Sequence, residues 1–214
     1  MGLFDAAAGM AAAPVSPAPG LTLLPGCALE TSPQLLLDLR QVALLAPFRH
    51  MVTRGGHRMS VAMTNCGDFG WISDRRGYRY GDTDPETARP WPPLPASFLA
   101  LASAAAAAGG FSHFVPDACL INRYEPGARM SLHQDRNERD FSQPIVSVSL
   151  GVPATFLFGG LTRAMKPLRL RLVHGDVVVW GGPARLNFHG VSPLRPDSHE
   201  SLGLHRINLT LRKI

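Results

Sequence analysis

From residue 117 onward the chain is a succession of short apolar runs broken by turn residues. The runs fall at about 117–125, 128–133, 144–151, 154–159, 168–173, 176–181, 185–189 and 203–212. Pro126-Gly127, Pro153, Gly159-Gly160, Gly175-Asp176 and Gly181-Gly182-Pro183 separate them. Many short strands at this spacing predict a sandwich, barrel or jelly roll rather than a parallel α/β sheet. The earlier part reads differently. Leu35, Leu36, Leu39 and Val42 form a stripe at helical spacing, with Ser32 placed to cap and Pro33 at the first helical position, predicting a helix over 32–46. A second helix is expected at Ala96–Ala108, stopped by Gly109-Gly110. Residues 50–93 have no helical period; they mix Gly, Met, Trp, Tyr and charges, and read as a hairpin-and-loop insertion that covers something. Three segments are expected: a flexible Ala/Pro/Gly-rich leader over 1–20, helices and insertion over 21–116, and a β core over 117–214.

Composition narrows the class. With 214 residues, 45% of them hydrophobic, the chain can bury the core of one domain. Lys plus Arg outnumber Asp plus Glu by 21 to 16, a modest excess that suits a polyanionic partner but equally an ordinary basic protein. Cys27, Cys66 and Cys119 are isolated and form no CxxC pair, which argues against a disulfide framework and a structural zinc site. The N-terminal stretch carries Asp5 without early Lys or Arg, and the apolar run at 98–108 is too short to cross a bilayer. A cytoplasmic protein without a membrane partner is expected.

The sharpest chemical feature is His133-Gln134-Asp135. Residues two apart on an extended chain face the same side, so an imidazole and a carboxylate can converge on one ion. Two histidines and a carboxylate on one face of iron leave positions open for a co-substrate and oxygen. Alone, the HxD pattern is weak, because such pairs are common on surfaces. A third ligand from a later strand could be His174, His189, His199 or His205.

The last strand adds independent support. In Arg206-Ile207-Asn208-Leu209-Thr210-Leu211-Arg212 every polar residue falls on one face. An amphipathic edge strand would alternate in the same way. Two arginines on a face that points into a barrel, however, need an anionic partner, and a dicarboxylate matches the bidentate geometry of Arg. The run Asn122-Arg123-Tyr124 is counted with this pocket, Asn122 and Tyr124 sharing a face.

Taken together these residues resemble the AlkB family of nucleic-acid repair dioxygenases. The resemblance runs through Met51-Val52-Thr53, 59–67, Gly70-Trp71, 117–124, 131–135, Ile145–Gly151, Phe158-Gly159-Gly160, 174–182, His189-Gly190 and Asn208-Leu209-Thr210. It implies a mainly β (α+β) fold, a double-stranded β-helix or jelly roll with N-terminal helices and a nucleotide-recognition lid. It implies Fe(II) on His133, Asp135 and His189, and 2-oxoglutarate held by Asn122, Tyr124, Arg206, Asn208 and Arg212, with O₂ as the oxidant. The implied reaction is oxidative dealkylation: an N-methyl group is hydroxylated and leaves as formaldehyde, with succinate and CO₂ as co-products. The implied substrate is alkylated single-stranded DNA carrying 1-methyladenine or 3-methylcytosine, with duplex DNA or RNA as alternatives, acted on by a monomer. An RNA or protein oxygenase of the same chemistry, and a non-catalytic nucleic-acid-binding jelly roll, are the competing readings.

A base must leave its stack to reach buried iron. Trp71 matches the family's stacking aromatic, with His133 on the base's other side; the alternative is an ordinary core tryptophan. Tyr78, Arg79 and Tyr80 match the segment that handles the nucleotide backbone, Met51, Thr53 and Met59 are expected to line the rest, and Arg136 and Arg163 match basic positions near the strand. Asn137 and Glu138 follow the iron aspartate. The family's bacterial founder carries Asp where Asn137 stands, which removes an acid that would favour cationic bases.

Overall fold

A computed structural model describes residues 13–214. The strands are β1 (Val15–Ala18), β2 (Leu21–Leu24), β3 (Ala62–Gly67), β4 (Gly70–Asp74), β5 (Gly77–Gly81), β6 (Ala118–Tyr124), β7 (Met130–His133), β8 (Ile145–Gly151), β9 (Ala154–Phe158), β10 (Leu168–Leu172), β11 (Val177–Trp180), β12 (His189–Val191) and β13 (Arg206–Arg212). Two helices, α1 (Ser32–Leu45) and α2 (Ala96–Ala108), precede most of them. A seven-stranded sheet runs β1-β2-β11-β8-β13-β6-β3 and a four-stranded sheet runs β10-β9-β12-β7. All pairings are antiparallel. The hairpin β4–β5 stands apart from both sheets.

Period-two alternation decides what each face meets. On β8, β11 and β13, Val146, Val148, Leu150, Val177, Val179, Ile207, Leu209 and Leu211 pack with Leu35, Leu39 and Val42 of α1 and Phe98, Leu101 and Ala105 of α2. Burying that apolar face under the helices sends the alternate residues between the sheets. There Ile145, Val178 and Trp180 meet Phe156, Phe158 and Leu172 of the smaller sheet. The polar face of β13 is therefore interior, and all seven of its residues are buried.

Several expectations are corrected in detail. Residues 13–20 are not an unstructured leader: β1 pairs with β2 at the edge of the large sheet. The rest of that expected leader, 1–12, lies outside the described residues. The segment 21–116, expected to form one domain with the β core, supplies β2 and β3 to the large sheet. Ser32 does not cap α1; its hydroxyl donates back to the Leu29 carbonyl at 2.9 Å. The strand expected over 185–189 begins only at His189, because Gly182–Ala184 form a 3-10 turn. Among the described residues no helix is long and apolar enough to cross a membrane.

Candidate active site

His133 ends β7 and His189 begins β12, and the two are direct cross-strand partners. Their rings lie with centroids 4.4 Å apart. Gly190 lets the strands come this close, since a Cβ there would stand 2.6 Å from the Met130 carbonyl oxygen. Just past the end of β7, Asp135 brings its carboxylate to 3.7 Å from His133 Nε2 and 3.5 Å from His189 Nε2. One ligand atom from each of the three residues lies within 4.8 Å of the others.

The tautomers suit a metal. His133 Nδ1 sits 2.9 Å from the Ser131 carbonyl and His189 Nδ1 3.0 Å from the Asn187 carbonyl. Each Nδ1–H donates to its carbonyl, which leaves the Nε2 lone pair facing Asp135. Burial, helped by the neighbouring His189, pushes His133 down to about 4. Burial would raise Asp135, but the Arg212 guanidinium and the two imidazoles outweigh it and hold the carboxyl well below the usual range. Neutral imidazoles and an ionised carboxylate are the forms a divalent cation takes. The donor set, two N and one O on one side, fits iron of the facial-triad kind.

The second component is a buried cation without an anionic partner among the described residues. Arg206, 1% exposed, donates from Nη2 to Ser149 Oγ at 3.1 Å and lies over the Tyr124 ring at 5.0 Å. Its Nε and Nη1 have no hydrogen-bond partner among the described residues, nor has Asn122 Oδ1. A buried guanidinium with two idle nitrogens is costly unless an anion completes it. Both residues line a cavity of about 670 Å³ shared with the triad. The idle nitrogens of Arg206 suit a carboxylate, and the shared cavity has room for a small dicarboxylate. Asn208 also lines the cavity. Its amide is engaged within the wall, donating to Ser147 Oγ at 2.8 Å and to the Val148 carbonyl at 3.0 Å while accepting from Thr210.

Arg212 serves the metal end. Its Nη2 lies 2.5 Å from Asp135 Oδ2, and its Nη1 donates to the Tyr80 hydroxyl at 3.0 Å. Tyr80 in turn donates to Glu138 Oε1 at 2.8 Å. Arg185 completes the group, with Nη2 3.4 Å from Glu138 Oε2 and Nη1 donating to the Asp135 carbonyl at 2.9 Å. The β4–β5 hairpin is thus tied to the carboxylate of the triad through a buried Tyr–Glu–Arg group. Burial drives the Tyr80 hydroxyl far up, so it stays protonated as a donor.

Towards solvent the same cavity is lined by Thr53, Met59, Trp71, Tyr78, Asn137 and Arg163. Trp71 stacks on Tyr78 with centroids 5.6 Å apart and ring planes 13° from parallel. Asn65 orients Trp71 by pairing its amide with both backbone groups, at 2.9 and 3.1 Å. Asn65 was not anticipated from sequence, and a lone buried Asn carries no signal there. Arg163 lies over the Phe188 ring at 5.0 Å.

Four expected site residues, Arg123, Met51, Tyr80 and Glu138, lie outside the cavity wall, and Arg79, expected near the nucleotide backbone, stays part-exposed on the hairpin. Arg123 faces away from Asn122 and Tyr124, over the Phe48 ring at 4.9 Å, as strand alternation requires. Met51 is part of the core between the sheets. Arg79 pairs with Asp74 on its own hairpin at 2.7 Å. Tyr80 and Glu138 belong to the buried group around Arg212 rather than to the cavity wall.

The chain matches the model of the 2OG-Fe(II) oxygenase superfamily over residues 20–212. It is 55% identical over 196 residues to alpha-ketoglutarate-dependent dioxygenase AlkB of Salmonella typhimurium, covering 92% of this chain and 91% of that one. It is 54% identical to the Escherichia coli protein of the same name, with the same coverage. The solved structure of OsALKBH1 superimposes with a TM-score of 0.83 at 28% identity, covering 94% of this chain and 100% of the other. Chain-long identity at this level, on a jelly roll that gathers two histidines, an aspartate and an idle buried arginine, places the chain in the AlkB family of the 2OG-Fe(II) oxygenase superfamily.

Proposed function

We propose that the chain is an oxidative DNA demethylase that uses Fe(II), 2-oxoglutarate and O₂ to remove alkyl groups from base nitrogens. The observation that carries this reading is Arg206. It is buried, two of its nitrogens are idle, and it lines the cavity that also holds His133, Asp135 and His189. In this reading the three side chains hold Fe(II). Arg206 and Asn122 receive the distal carboxylate of 2-oxoglutarate, beside Tyr124 and Asn208.

With iron bound, O₂ would be the oxidant that places a hydroxyl on the N-alkyl carbon, 2-oxoglutarate being oxidised alongside to succinate and CO₂. The protein's part is positioning. Arg212 holds Asp135 in one orientation. Trp71, backed by Tyr78, presents a flat face to an extruded base, and His133 bounds the other side. Thr53 and Arg163 reach the backbone, and Asn137 can accept from an exocyclic amine. Phe156 and Trp180 line the cavity and give it apolar wall that would keep bulk water from the reacting carbon. Extrusion costs least from a single strand, so single-stranded DNA is the preferred substrate in this reading. We take the enzyme to act as a cytoplasmic monomer.

The test is anaerobic loading with Fe(II) and 2-oxoglutarate, then O₂ with an oligonucleotide carrying 3-methylcytosine. Formaldehyde and repaired base appear together if the reading holds. Consumption of 2-oxoglutarate that no methylated nucleic acid stimulates would remove it, and DNA and RNA versions of one sequence rank the two substrates. Metal binding with neither outcome would favour a binding module.

A further inference from the structure

The chain from 141 to 175 contains no Asp or Glu, yet it carries Arg163, Lys166, Arg169 and Arg171. All four are exposed, on the hairpin formed by β9 and β10. None takes part in an ion pair among the described residues. Arg163 lines the cavity. On β10 the alternation sends Leu170 and Leu172 to the core beside Phe156 and Phe158. Arg169 and Arg171, opposite Leu157 and Thr155, therefore project from the outer face of the smaller sheet. The helices cover the large sheet and leave this face uncovered. Two arginines at alternate positions stand about 6.7 Å apart along the strand. That is a spacing comparable with successive phosphates of an extended polynucleotide.

We propose that the outer face of β10, through Arg169 and Arg171, is a docking track for the phosphodiester backbone of the substrate strand, continuing from Arg163 beyond the extruded base. The proposal rests on the demethylase reading and extends the substrate from one nucleotide to a length of strand. Charge complementarity carries it: four unpaired cations in a run without acids form a local positive field, and release of counterions from a polyanion drives binding to such a field. A competing role is edge protection, since β10 is an edge strand and charged side chains there discourage pairing with another chain. Charge reversal separates the two, because glutamates guard an edge as well as arginines do but repel phosphate.

The experiment compares a trinucleotide and a 15-mer, both single-stranded with a central 3-methylcytosine, on the iron-loaded protein at ~0.15 M salt, where screening confines charge effects to about 8 Å. Demethylation of both and anisotropy binding of the 15-mer are measured across salt. The double variant R169E/R171E is expected to weaken 15-mer binding at least ~5-fold and to make its salt slope shallower by about 1.4, the share of two phosphate contacts on a single strand. R169K/R171K is expected to keep most of the slope, and trinucleotide turnover is expected to stay at the wild-type rate in both. Wild-type affinity and slope in the glutamate variant would overturn the proposal, as would a lysine variant that falls as far as the glutamate one. If wild-type protein repairs neither substrate, the demethylase reading fails instead, while the 15-mer binding comparison still judges the track.

Discussion

Arg212 and Asp135 form a buried pair, Nη2 to Oδ2 at 2.5 Å, and the arginine belongs to the same strand face as Arg206. One face of β13 therefore serves both ends of the cavity. Truncating Arg212 leaves Asp135 buried without its cation, while Glu138 keeps Arg185. R212M is expected to lower unfolding stability of the metal-free protein by roughly 3–5 kcal/mol. Urea unfolding of the apo protein checks it; an unchanged midpoint would mean that the pair only offsets its own desolvation.

Arg206→Lys keeps a charge but gives up the planar fork. The KM for 2-oxoglutarate is expected to rise ~10–100-fold, with a much smaller change in kcat at saturating co-substrate. A titration of succinate formation against 2-oxoglutarate separates the two parameters. An equal fall in kcat with KM unmoved would place the carboxylate elsewhere.

His189→Ala is expected to abolish turnover and to weaken Mn(II) binding by more than ~100-fold. Metal titration followed by electron paramagnetic resonance gives the second number even for an inactive protein. Retained turnover would move the third ligand to another histidine.

Asn137 lines the cavity where an acid would act on a cationic base. Asn137→Asp is expected to shift the repair ratio of 3-methylcytosine to a neutral adduct by roughly tenfold towards the cation. Competition between two lesions in one reaction reads the ratio directly, and an unchanged ratio removes the electrostatic argument at this position.

Arg49 and Asp84 anchor the base of the lid insertion in a two-pronged ion pair. Burial pushes Asp84 up, but the Arg49 guanidinium and the Glu86 backbone N–H pull harder and leave its carboxyl below the usual value. A lowered folded-state value means that the pair's stabilisation is complete above the unfolded value of about 3.9 and is lost as pH falls through the lowered one. D84N is expected to cost roughly 2–4 kcal/mol near neutral pH. Its deficit against wild type shrinks below about pH 4. A deficit constant from pH 7 to pH 3 would show that packing, not charge, is what the substitution removes.

Much of this site is local in sequence, and that part was legible. The two-residue spacing of His133 and Asp135 and the alternation of β13 need only the period of a strand. The third histidine is a question of pairing register, which the residues alone left open among four candidates. Arg123 and Glu138 mislead for a related reason: both neighbour true cavity residues in sequence, and adjacency on a strand or turn points a side chain away. Tyr80 could not be placed without knowing that the hairpin folds back onto Arg212. The strand β1 was hidden in an Ala/Pro-rich stretch because it is short and pairs on one side only.

The pairing of β7 with β12 has a consequence for how the site tolerates change. His133 and His189 meet through strand register, so the length of chain between them is free to vary so long as that register is kept. Substitutions and insertions in the exposed turn after β9 leave the two imidazoles opposed. A one-residue slip of β12 against β7 would turn His189 to the other face and separate the ligands at once. Robustness of the metal centre is thus concentrated in a three-residue strand, and its surroundings are left open to diversification.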